Sequence, residues 1–337
     1  MPKLALKIPA IATMLGVALV LTGCTSSETE SPESTDTDTA ASSPAGECTE
    51  PGSLSDGVNV TGDFGAPLEI SIDAPLSPTV SERTVATAGT GTETAKEGSI
   101  VEVAITLYNA ETDEVVQPTQ YNTDGVSLVV PINDTDFLPA LVRSANCSVE
   151  GDRIVTVSPA EDAFADQGTT GVAAGEPIIV VMDVISVIED VPTRADGADQ
   201  PVEEGLPTVA LADDGAPTIT VPATDAPTDL KISTLKKGDG AVVGEGATVA
   251  VAYTGVLWAT SEKFDSSWGR VDYSVFATGA VIPGFTQALV GQTVGSQVIA
   301  VVPPEFGYGE AGTQGISGTD TLVFVIDILA TAGGTQA

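Results

Sequence analysis

The chain has 337 residues, 42% of them hydrophobic and 4% aromatic, with 35 glycines, enough for two ordinary domains and some unstructured sequence. Its 47 acidic and 12 basic residues give a formal charge of −35, which argues against nucleic acid as a partner because phosphate binding needs clustered Lys and Arg. The chain has no histidine, which excludes Ser-His-Asp and Cys-His catalysis and His-ligated zinc together, and no Asp-x-Asp-x-Asp-Gly calcium loop accompanies the acids.

Residues 1–23 carry Lys3 and Lys7, an apolar run from Ile8 to Leu21, and a small-residue end before Cys24. This is the layout of an export signal. Its end, Leu21-Thr22-Gly23-Cys24, resembles a bacterial lipobox, so Cys24 is expected to become the acylated first residue and to hold the protein at the extracytoplasmic face of the cell membrane. The alternative, an uncut anchor helix, ordinarily needs about 18 or more apolar residues. Residues 24–62 read as a Ser/Thr/Asp/Glu-rich tether, most plainly from Thr25 to Glu47, where no aromatic residue occurs. The remaining cysteines, Cys48 and Cys147, are expected to form a disulfide in such a compartment.

An internal repeat follows. Lys96 to Ala104 matches Gly244 to Ala252, and Gly151 to Pro159 matches Gly295 to Pro303, with Gly65-Ala66-Pro67 recurring as Gly215-Ala216-Pro217. The two offsets, 148 and then 144, imply about four extra residues in the first copy, expected near Ser144 to Cys147. The reading is a first domain at 63–190, a Pro/Asp/Gly-rich linker at 191–214 and a second domain at 215–337. Val/Ile/Ala runs bounded by Gly and Pro read as strands over Thr248–Tyr253, Gln297–Val302 and Thr321–Leu329, and Phe285–Gly291 after Pro283-Gly284 reads as a short helix. Each copy is therefore α+β.

The second copy carries, in order, Gly238-Asp239-Gly240, Val251-Ala252-Tyr253-Thr254-Gly255, Lys263-Phe264-Asp265-Ser266-Ser267, Val281-Ile282-Pro283-Gly284-Phe285, Val294-Gly295, Pro303-Pro304-Glu305-Phe306-Gly307-Tyr308-Gly309 and Thr321-Leu322-Val323-Phe324. In this order and spacing the stretch from Asp229 to Ala332 resembles the FKBP-type peptidyl-prolyl cis/trans isomerases. The resemblance implies tandem FKBP-like domains, each a curved antiparallel sheet wrapped around one short helix, with a shallow apolar pocket in the second. By position it assigns Tyr253, Asp265, Ile282 and Tyr308 to catalysis, Ile282 through its backbone amide. Phe264, Phe276, Val281, Phe285, Ile316 and Phe324 would contact substrate. Singly these residues have duller readings: Phe264 and Phe324 as core, Asp265 as a turn residue, Tyr308 as an exposed loop tyrosine. Phe285 stands where the family often has tryptophan, and Ser317-Gly318 where it often has two prolines. The implied ligands are Pro-containing polypeptides and FK506-like macrolides, with no metal and no cofactor. The competing reading is a non-catalytic module that holds Pro-containing segments. The Gly-rich run from Gly307 to Gly318 lacks the Lys-Ser/Thr of a phosphate loop.

Carried back by the two offsets, the pocket positions become Ile105, Val116, Gln117, Asn133, Asp134, Phe137, Phe164 and Val180. The hydroxyls and the acid are lost, so the first copy is expected to be a degenerate domain without isomerase activity.

Overall fold

The structure is a computed structural model that describes residues 47–66, 68–73, 75–118, 128–132, 137–201, 203–270 and 273–334. The export segment, Cys24, most of the tether, Asn133 and Asp134 lie outside the described residues. The first half contains α1 (Ser53–Asp56), β1 (Asn59–Thr61), β2 (Glu69–Ser71), β3 (Glu82–Thr87), β4 (Ile100–Asn109), β5 (Val115–Gln117), β6 (Leu128–Pro131), α2 (Pro139–Ala145), β7 (Arg153–Ser158) and β8 (Ile178–Ile188). The second continues with β9 (Ala198–Asp199), β10 (Thr208–Leu211), β11 (Pro217–Thr220), β12 (Lys231–Lys237), β13 (Thr248–Leu257), β14 (Lys263–Ser266), β15 (Ser274–Ala277), α3 (Pro283–Leu289), β16 (Gln297–Val302) and β17 (Leu322–Ala332).

Two antiparallel sheets share one topology. The first runs β5-β4-β8-β7-β3 with β6 also on β4, and the second runs β14-β13-β17-β16-β12-β9 with β15 also on β13. Equivalent strands keep equivalent registers, Ile105 opposite Met182 and Tyr253 opposite Ile326, and both long pairs shift register at the same place, after Glu102 and after Ala250. The strands are Val/Ile-rich because both of their faces are covered. On the inner face, Val101, Val103, Ile154 and Met182 pack on α2 residues Ala140, Leu141 and Ala145, as Val249, Val251, Val298 and Ile326 pack with α3 residues Phe285, Ala288 and Leu289. Each helix opens with proline at its first position, where the missing N–H costs no bond. On the outer face lies a hairpin, β1-β2 over Val155, Val157, Ile179 and Val181, and β10-β11 over Ile299, Val301, Val323 and Val325.

The hairpins correct two expected boundaries. Residues 47–62 are not all tether: α1 is fixed by the Leu54 and Ser55 amides donating to Glu82 Oε2 at 2.7 and 3.2 Å, Val58 is buried, and a disulfide joins Cys48 to Cys147. Nor is 191–214 a free linker. The Ala195 amide donates to Asp327 at 2.8 Å, β9 pairs with β12, and Leu206 is buried under β10-β11. Short Val/Leu/Ile sets among the polar residues supply the apolar face that the bulk composition obscured.

The four extra residues are also misplaced by the sequence. α2 and α3 are already related by 144, Leu138 and Ile282 being their N-caps, whereas Val101 opposite Val130 and Val249 opposite Phe276 relate β6 and β15 by 146. The extra residues therefore fall two before β6 and two between β6 and α2, not at Ser144 to Cys147. Cys147 instead occupies the place of Gly291, each donating its amide to the equivalent carbonyl, Ala95 at 2.8 Å and Val243 at 2.9 Å. It follows that Phe137 replaces Val281, Leu138 replaces Ile282 and Leu141 replaces Phe285. By this count Asn133 and Asp134, expected at the positions of Val281 and Ile282, come before the pocket positions in the sequence.

Candidate active site

In β13 the alternation that buries Val249 and Val251 against α3 carries Tyr253 and then Gly255 to the same face. Gly255 lies opposite Phe324 of β17 and opposite Asp265 of β14. A Cβ at Gly255 would stand 2.5 Å from Phe264 Cζ and 3.0 Å from Phe324 Cε1. The missing side chain is what lets these two rings meet, edge to face at 5.5 Å. The chain of edge-to-face contacts continues from Phe324 to Phe285 at 5.2 Å, Phe285 to Tyr253 at 5.9 Å and Tyr253 to Phe276 at 5.8 Å.

These rings wall a cavity of about 260 Å³, closed by Asp265, Ala280, Val281, Ile282 and Tyr308. The structure thus brings together nine of the ten residues assigned from sequence. The tenth, Ile316, is buried in the core beside the cavity instead of lining it; its amide bonds Thr313 and it packs with the α3 cluster. Gly255 enters the sequence reading only as the end of a motif stretch, and Ala280 and Arg270 do not enter it at all; the Arg270 guanidinium faces Asp265 at 3.5 Å. Small residues carry no chemical signal, and an arginine five positions after an aspartate is ordinary surface sequence.

The polar groups gather at one rim. The Tyr253 hydroxyl donates to Asp265 Oδ2, while Asp265 Oδ1 accepts the Ser266 amide at 2.8 Å. The Tyr253 amide and carbonyl are both held by Ser267, at 2.9 and 3.0 Å, which fixes β14 against β13. Burial first, then the hydrogen bond and charge of Asp265, push the Tyr253 hydroxyl above the usual phenol range; burial and the same charge raise that of Tyr308. Both are donors at neutral pH. Ile282 caps α3 with φ −60° and ψ 148°, and among the described residues no acceptor meets its N–H. The site therefore offers an apolar floor, one unused backbone donor and the Tyr308 hydroxyl at the edge. It holds no activated nucleophile, and among the described residues no group of acids and cysteines is arranged to bind a metal.

In the first half the equivalent positions are filled differently. Leu107 fills the place of Gly255, and Ile105, Val116 and Val180 replace Tyr253, Phe264 and Phe324 as parts of one aliphatic core. Its larger cleft, about 530 Å³ along Pro78, Glu111, Pro159, Glu161 and Asp166, has no aromatic wall.

Residues 240–329 match the family described as FKBP-type peptidyl-prolyl cis-trans isomerase. An FK506-binding protein of Streptomyces anulatus is 39% identical over 118 residues, which are 34% of this chain and 95% of that protein. A probable FK506-binding protein of Corynebacterium glutamicum is 40% identical over 114 residues, 34% of this chain and 97% of its own length. The FKBP-type peptidyl-prolyl cis-trans isomerase FkpA of Escherichia coli is 36% identical over 102 residues, 30% of this chain and 37% of its own.

Proposed function

Because the chain belongs to the FKBP-type peptidyl-prolyl cis-trans isomerase family, we propose that the cavity between α3 and the second sheet catalyses cis/trans exchange of Xaa-Pro bonds in polypeptides. The observation that carries this is the five-ring wall with an unused Ile282 N–H at its floor and the Tyr253–Asp265 pair at its rim.

An amide rotates over a barrier of about 18 to 20 kcal/mol, and no covalent bond breaks. Twisting removes resonance, so the carbonyl becomes less polar on the way up. An apolar cavity binds that twisted form better than the planar one, which is the differential binding a catalyst needs. In this site the proline ring lies among Tyr253, Phe276, Phe285 and Phe324. The Ile282 N–H holds a flanking carbonyl, and the Tyr308 hydroxyl holds a second. Asp265, tied to Tyr253 and facing Arg270, keeps the rim ordered and presents a dipole to the rotating carbonyl.

The two halves are read as tandem FKBP-like domains, the first degenerate. Shared strand order, shared register shifts and paired outer hairpins support this, as does the aliphatic filling of the first pocket. The physiological role proposed is assistance to the folding of exported proteins, with the chain held at the outer face of the cell membrane by a lipid on Cys24. The support for export and anchoring is the sequence of residues 1–24.

The test is a protease-free isomerisation assay of the full chain with a Leu-Pro peptide, comparing wild type with Asp265→Ala and Tyr308→Phe. Acceleration by the wild type, weakened in both variants, is expected. A folded wild type that leaves the exchange at its uncatalysed rate would transfer the function to the non-catalytic binding class.

A further inference from the structure

The outer faces of the two sheets meet in one buried apolar cluster. Ile100 and Val129 of the first half, 2% and 4% exposed, pack with Ala250, Ala252, Tyr273, Leu329 and Ala330 of the second. The Tyr273 hydroxyl crosses the boundary to donate to the carbonyls of Gly98 and Ser99, at 3.1 and 3.3 Å. Tyr273 immediately precedes β15, a strand of four residues attached to its sheet through β13. Such a short edge strand has little of its own to hold it in place. Its alternation turns Val275 toward the first half and Phe276 into the candidate cavity. Trp268 belongs to the same boundary cluster, and a Cβ at Gly215 would stand 3.0 Å from its Cη2. Arg270, two residues after Trp268, faces Asp265.

We infer that the first half is a positioning unit for the active site of the second: by seating Tyr273 on the Gly98 and Ser99 carbonyls and placing Val129 in the cluster that Val275 packs against, it sets the wall residue Phe276. The inference rests on the isomerase reading of the cavity. It gives the degenerate half a task that needs its fold and outer face and needs no pocket. Tyr273 and Val129 touch no substrate; they are positioning residues.

The test uses two full-chain variants, Tyr273→Phe, which removes only the bridging hydroxyl, and Val129→Asp, which places a charge in the boundary on the outer face of the first sheet. Phe276 contacts the ring in ground and transition states alike, so its displacement raises KM while kcat holds. A rise in KM of roughly 3- to 10-fold is expected for Tyr273→Phe, the size carried by one lost buried hydrogen bond, and a rise at least as large for Val129→Asp, which buries a charge. A partly unfolded variant would instead lower the apparent kcat at unchanged KM, and that result, or unchanged kinetics in both variants, overturns the inference. Backbone amide exchange in β15 supplies a second reading that does not depend on turnover. Faster exchange in Val129→Asp is expected, and protection equal to wild type overturns the inference even where the chain shows no isomerase activity. Absence of activity in the wild type counts against the isomerase reading alone.

Discussion

Gly255→Ala puts the construction of the pocket to a direct test. Gly255 is not among the glycines with positive φ, so alanine meets no backbone penalty there and the whole effect is steric. The added Cβ would lie 2.5 Å from Phe264 Cζ, 2.8 Å from Phe264 Cε2 and 3.0 Å from Phe324 Cε1. Carbon atoms pack at about 3.5 to 4.0 Å, so the Phe264 ring must retreat by roughly 1 Å. Phe324 is buried at 4% exposure, whereas Phe264 is only partly buried and lines the cavity, so the cavity is where its ring can give way. Overpacking of this kind costs about 1 to 3 kcal/mol, and the edge-to-face pair contributes about 0.5 to 1.5 kcal/mol of that. If the ring moves into the cavity, most of the cost appears as lost substrate binding, and KM for a Leu-Pro peptide rises by about tenfold. Urea denaturation read beside the isomerisation kinetics separates the two shares. A variant with unchanged midpoint and unchanged KM would refute the claim that the missing side chain opens the pocket. As a control, Leu107→Gly in the first half is expected to cost stability, about 2 to 5 kcal/mol for a truncated core leucine, and to create no activity.

Removing the disulfide by Cys48→Ser with Cys147→Ser frees a loop spanning 99 positions and should cost about 4.7 kcal/mol on the chain-entropy scale, measurable as a shift in the urea midpoint. Because Cys147 has φ 60° where the second half has Gly291 at φ 83°, Cys147→Gly in the Cys48→Ser background should lose less than Cys147→Ser. Tyr253 and Tyr308 both ionise above the ordinary phenol value, so each favours the protonated form in the folded state. The stability this contributes is complete below about pH 10 and is lost as pH rises beyond it. The expected profile of kcat/KM is flat from about pH 7 to pH 10; a decline inside that range that Tyr308→Phe abolishes would contradict the assignment.

The sheet and helix of the second half were legible because each residue type spoke for its place: β-branched runs at Gln297–Val302, and proline at the first position of the helix. The aromatic wall was legible through family spacing, since Tyr253, Phe264, Phe285 and Phe324 come from separate strands and a helix that no local pattern joins. Other features depend on tertiary context. Gly255 matters through two rings that approach it in space, and Arg270 through the turn after β14 that folds it back toward Asp265. The hairpins over the outer faces were hidden because Val60, Ile70, Val209 and Ile219 are single apolar residues in polar sequence. The misplaced insertion has a physical origin too. Loop length between β4 and α2 can change without disturbing either element, and the matching Leu138-Pro139 and Ile282-Pro283 steps were the available marker.

The most direct measurement is exchange spectroscopy of a Leu-Pro peptide with a substoichiometric amount of the full chain, read together with amide shifts in the protein. Accelerated cis/trans exchange is predicted, with the Ile282 amide moving on peptide addition and the Leu138 amide of the first half unmoved. Exchange at the uncatalysed rate, or acceleration accompanied by movement of Leu138 and none of Ile282, would contradict the assignment of catalysis to the second cavity.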